Sequence, residues 1–124
     1  MLILTRYIVL HELKPLRRFL SLDEIITGAK KVESGLATPI KVPKNIAGLE
    51  FYKVRLGKNN GARMIVFMMT QNSKIVPVLI RLKKDKIFGM NMAMNNPEVA
   101  KQISKNLDHI FEDIKSKAFE EFTT

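Results

Sequence analysis

Two short extended segments carry the residues whose types and spacing could do chemistry. In the first, Lys53 and Arg55 alternate with Tyr52, Val54 and Leu56, so the two cations project from one face of a strand. The second begins Ala62-Arg63. A five-residue loop from Gly57 to Gly61 sets Leu56 opposite Ala62 and therefore Arg55 directly opposite Arg63. Like charges that face each other across a ladder repel, and Arg63 opens an otherwise apolar strand. An anion between them is the natural remedy, which predicts a concave phosphate-binding site, the alternative being an ordinary solvated basic surface. Removing either arginine relieves repulsion, so each alanine variant should hold or gain stability.

A third extended segment ends in Arg81-Leu82-Lys83-Lys84-Asp85-Lys86 and brings more cations to the same end of the sheet. A plain hairpin register puts Lys84 on the Arg63 face, whereas a bulge near Pro77 puts Arg81 and Lys83 there. Lys58 in the loop and Arg17 and Arg18 ahead of the meander complete the candidate nucleic-acid contacts. Other chemistries lack their residues. There is no Cys for a thiolate nucleophile, a disulfide or a cluster, and His11 and His109, the only histidines, lie far apart, His109 having beside it only ordinary helix-surface acids. No metal and no cofactor are expected. No Gly-x-Ser-x-Gly elbow occurs, and Gly57-Lys58-Asn59-Asn60-Gly61 joins two strands instead of opening a helix as a nucleotide-binding loop does.

These residues must be positioned by a small fold. The chain has 124 residues, room for one domain spanning 1–124. Its 21 basic and 12 acidic residues give a net charge of +9, which suits a polyanionic partner. The excess is local: residues 39–92 hold eleven basic and two acidic groups, whereas residues 93–124 hold four and six. The first apolar run lacks the features of a signal peptide and no stretch reaches the length of a membrane span, so a cytoplasmic location with no membrane partner is expected.

Leu2 to Leu10, rich in β-branched and aromatic residues, reads as a buried strand. His11 to Leu20 reads as a turn and a short helix that Pro15 opens and that carries Arg17 and Arg18. Ser21 and Glu24 have capping-box spacing, and Leu22, Ile25, Ile26, Ala29 and Val32 make one helical face stopped by Gly35. After an extended connection between Pro39 and Pro43, Leu49 to Leu56, Ala62 to Thr70 and Ile75 to Leu82 read as three antiparallel strands. Pro77 demands an edge or a bulge. Met90, Met92 and Met94 read as gap-filling core, with an adaptable partner-docking surface as the alternative. Pro97 starts a helix whose stripe is Val99, Ile103, Leu107, Ile110, Phe111 and Ile114, with fraying from about Ser116. The fold class is α+β: N-terminal strand and helices, antiparallel meander, C-terminal helix.

Phe51-Tyr52-Lys53-Val54-Arg55-Leu56-Gly57, then Gly61-Ala62-Arg63-Met64-Ile65-Val66-Phe67, then Leu82-Lys83-Lys84-Asp85-Lys86 resemble, in order and spacing, segments of the RelE/ParE toxin superfamily, especially its HigB-like branch. The detailed similarity covers about Leu49 to Lys86. It implies a RelE-like fold and a toxin of a type II toxin-antitoxin system, an endoribonuclease that cuts RNA, commonly mRNA on the ribosome, and is neutralised by a cognate antitoxin. A ParE branch inhibits gyrase instead, and a non-catalytic nucleic-acid-binding module is a further alternative. The resemblance gives Lys53, Arg55, Arg63, Lys83 and Lys86 the catalytic positions; Lys84, from the strand register, and Arg81, Lys58, Arg17 and Arg18, from the distribution of charge, are the expected RNA contacts. The chain departs from the family pattern after the central arginine, where Val66 and Phe67 supply no aromatic hydroxyl. A conventional acid-base residue is then missing or comes from elsewhere, with Tyr52 and His11 as the distant candidates.

Overall fold

A computed structural model describes residues 1–42, 46–86, 88 and 95–124. Strands β1 (Leu2–Thr5), β2 (Thr38–Ile40), β3 (Leu49–Leu56), β4 (Ala62–Met69), β5 (Ile75–Leu82) and β6 (Phe119–Phe122) form one mixed sheet in the order β2-β3-β4-β5-β1-β6. Helix α2 (Leu22–Glu33) covers one face and α3 (Pro97–Lys115) the other. The alternation of β4 separates them: Met64 meets α2 at Gly28, while Phe67, three residues on, packs against Phe111 of α3 with ring centroids 5.9 Å apart. The fold class is thus the expected α+β arrangement.

The three meander strands stand where period-two patterning puts them, and the loop sets Leu56 against Ala62. Between β4 and β5 the register slips: Ile65 pairs with Leu79 but Val66 with Pro77, leaving Val78 as the extra residue of a bulge. Proline's missing donor is accommodated inside the sheet, since β5 lies between β4 and β1. The capping box of α2 is complete, with Ser21 Oγ accepting from Glu24 N–H at 3.2 Å and Glu24 Oε1 accepting from Ser21 N–H at 3.0 Å. Gly35, at φ 77°, ends that helix.

The N-terminal expectation fails at Thr5. That residue ends β1 and caps a helical turn, α1 (Arg6–Ile8), its hydroxyl accepting from Ile8 N–H. Asp113 of α3 accepts the Tyr7 N–H at 2.7 Å, so a tertiary contact overrides the β propensity of Tyr7, Ile8 and Val9. The chain continues through a π-helical turn, Val9–Leu13, and a 3-10 turn, Lys14–Leu16, so it is helical before Pro15 and Arg17 and Arg18 follow the helical stretch. The C-terminal expectation also fails. Residues beyond Ser116 do not fray but form β6, which pairs antiparallel with β1 from Leu2↔Phe122 to Thr5↔Phe119. Deleting Phe119 to Thr124 should expose the edge of β1 and lower the melting temperature by more than about 5 °C in a thermal scan. Met90, Met92, Met94 and Pro43 lie outside the described residues. Among the described residues no helix is long and apolar enough to cross a membrane.

Candidate nucleic-acid interface

Arg55 pairs with Arg63, and Arg63 in turn with Arg81, so three arginines lie in a row across β3, β4 and β5 on one face of the sheet. Lys53 sits on the same face, diagonal to Arg63. Arg55 is exposed, whereas Arg63 keeps only 6% of its surface. Its Nη1 donates to the carbonyls of Asn60 at 2.7 Å and Ala62 at 3.1 Å. The loop presents the Asn60 carbonyl because Asn59 and Asn60 take left-handed backbone, at φ 56° and 53°. Arg63 is therefore a preoriented cation, and the sequence expectation that Arg63→Ala holds or raises stability is corrected: that change would open a buried site and strip two carbonyls of their donor.

Burial, then the charges of Arg63 and Arg55, push the Lys53 ammonium below its ordinary pKa. A lysine with a lowered pKa can act as a base nearer to neutral pH. The sign for stability follows from linkage. The native state releases the Lys53 proton before the unfolded chain does, so the cost is fully present below the native pKa and fades as pH rises through it. Lys53→Met should accordingly stabilise the protein at neutral pH, by roughly 0.5–1 kcal/mol on the scale of cross-strand pairs, and the gain should shrink at alkaline pH in urea titrations.

Arg81 is differently engaged. Its Nη1 donates to Oε1 of Glu12, a carboxylate only 2% exposed, and its guanidinium lies 4.5 Å from the ring centre of Phe88. Glu12 Oε1 also accepts from Ile80 N–H at 2.7 Å. Asn106, fully buried on α3, donates to the carbonyl of the bulged Val78 at 2.7 Å and accepts from Tyr7 Oη at 3.1 Å. The π-helical turn sets Glu12 against β5 here. Arg81 is thus a neutralised anchor beside the clamp, and its assignment as an RNA contact is corrected. Residue pattern at Glu12 gives no warning of this, but Asn106 falls on the apolar stripe between Ile103 and Ile110, a signal that sequence reading missed.

The other cations separate from this row. Lys84 is not on the Arg63 face, since the bulge gives that place to Arg81. Nor does Lys83 extend the row, because the chain turns after Leu82. Arg17, Arg18, Lys58, Lys83 and Lys84 instead line a cleft of about 800 Å³ at the same end of the sheet, toward α2. Lys86 is exposed on the turn beyond β5. The two conventional proton carriers are occupied elsewhere. Tyr52 alternates onto the opposite face from Lys53, where its hydroxyl donates to Glu50 at 2.6 Å, a bond that raises its pKa. His11 packs on Tyr7 at 4.4 Å, and Tyr7 stacks on His109 at 4.3 Å. Against protein-family models, curated proteins and solved structures alike, the chain finds no match.

Proposed function

We propose that the protein is a metal-independent endoribonuclease toxin of the RelE-like kind, acting on mRNA at the ribosome and restrained by a cognate antitoxin. The observation that carries the reading is the Arg55–Arg63 pair, two like charges opposed in register with a lysine of lowered pKa beside them. Such a cluster is costly in the free protein and suited to a phosphate whose charge grows in the transition state. The motif resemblance supplies the substrate class. In the proposed reaction the substrate 2'-hydroxyl attacks the adjacent phosphorus, Lys53 as neutral amine takes its proton, and the two arginines hold the pentacoordinate phosphorane. The bond to the 5'-oxygen then breaks, and that oxygen takes a proton from Lys86, the cation that the resemblance assigns to this step. A 2',3'-cyclic phosphate and a 5'-hydroxyl result.

With Tyr52 and His11 engaged elsewhere, lysines must carry the proton transfers, and this favours one second reading, a module that holds RNA without cutting it. Incubating purified protein with labelled RNA, free and on translating ribosomes, separates the two: cleavage is expected, and binding without cleavage would establish the second. Binding should weaken steeply with salt, with a log-log slope of about 0.7 per phosphate contact on single strands. A flat response between low and moderate salt would contradict both readings.

A further inference from the structure

Beyond the clamp, three neighbouring depressions that share lining residues follow the β3 side of the sheet. The 800 Å³ cleft shares Glu24, Gly57 and Lys58 with a smaller groove between α2 and β3, and that groove shares Lys31 and Arg55 with a hollow that Lys53 lines. Lys31 Nζ is held along this path by the Arg55 carbonyl at 3.0 Å. Glu24 is the only carboxylate among the described residues that line it, and its Oε1 is already committed to the Ser21 cap. At the far end stands Phe19, 54% exposed, with Lys84 Nζ 5.2 Å from its ring centre. Its main chain is fixed, since Phe19 N–H and Leu20 N–H both donate to the Leu16 carbonyl, at 2.8 and 2.9 Å. Nothing in the core needs this ring.

An exposed aromatic on a fixed main chain among cations, linked to a phosphate clamp by a chain of basic depressions, has the two elements of a single-strand track: charges that follow the backbone and a face on which a base stacks. We infer that Phe19 is the stacking platform of a nucleotide subsite, and that Arg17, Arg18 and Lys84 hold the phosphates beside it, so that RNA runs from the Arg55–Arg63 clamp through the groove to this cleft. The inference rests on the RNA reading above and adds a binding determinant remote from the scissile bond. Because any base can stack, the subsite should raise affinity with little base preference.

The chain contains no Trp, so Phe19→Trp introduces a single indole fluorophore at the platform. The probe is a labelled 2'-O-methyl oligouridine of about eight nucleotides, within the span of known single-strand sites and resistant to 2'-hydroxyl attack. Its addition should quench the indole emission of the Phe19→Trp variant. In anisotropy titrations Phe19→Ala should weaken binding by about tenfold and Phe19→Trp should retain it, with melting temperatures confirming that both variants fold. Oligonucleotide binding with no quench and no loss in Phe19→Ala would overturn the subsite while leaving the clamp intact. Quenching by a poly-glutamate peptide but not by the oligonucleotide would overturn it in favour of an acidic protein partner. Failure of the wild-type protein to bind the oligonucleotide at low salt would remove the RNA reading itself.

Discussion

Arg55→Ala should lower RNA cleavage by on the order of 10² to 10³ while leaving the melting temperature unchanged or slightly higher. The loss is that of a positioned electrostatic stabiliser for the phosphorane, and the retained stability follows because an exposed arginine that faces another arginine contributes repulsion and little else. Arg63 needs a different variant. Arg63→Ala removes a buried side chain together with its bonds to Asn60 and Ala62, so it should lose both activity and stability. Arg63→Lys keeps the charge but loses the guanidinium fork, and should fall by a comparable factor in cleavage with a smaller loss of stability. Cleavage and melting temperature measured on the same preparations decide the matter. Arg55→Ala that stays folded and cleaves normally would remove Arg55 from the clamp.

The largest effect on stability is expected at Glu12. Glu12→Ala leaves the part-buried Arg81 guanidinium and the buried Ile80 N–H without their carboxylate, at a cost of about 3 kcal/mol in urea unfolding, the lower end for breaking a buried pair because water still reaches Arg81. Glu12→Gln retains an acceptor for Ile80 N–H and should cost less. The double variant Glu12→Gln with Arg81→Met removes both charges, keeps an acceptor for the Ile80 N–H and should recover most of the loss, because uncompensated burial of one charge dominates the penalty. Equal destabilisation in the single and double variants would show that shape, not charge pairing, holds this junction of the π-helical turn, β5 and α3.

The register of the clamp is legible in the sequence because a short loop leaves no freedom. Once Gly57 and Gly61 bound it, Leu56 must meet Ala62, and Arg55 must meet Arg63. Pro77 signals the bulge, yet only the structure chooses between Lys84 and Arg81, since one inserted residue exchanges the faces of everything after it. The stretch from Arg6 to Leu10 misleads because its propensity is extended while its partner, Asp113, lies over 100 residues away. Phe119–Phe122 misleads for the same reason: Phe-Glu-Glu-Phe lacks any alternating pattern and becomes a strand only because β1 offers it an edge. Glu12 is illegible, since an acid between His11 and Lys14 in a segment read as a turn gives no sign of burial. The groove is partly legible, in that Arg17, Arg18, Lys58 and Lys84 read as contacts, but their convergence on Phe19 depends on the turn from Leu16 into α2.

The most direct measurement is an end-group analysis of mRNA recovered from a translation reaction to which the purified protein has been added. The proposed reaction predicts fragments ending in a 2',3'-cyclic phosphate and beginning with a 5'-hydroxyl, absent when Arg55→Ala is added at the same concentration. Intact mRNA, or fragments ending in a 3'-hydroxyl, would contradict it.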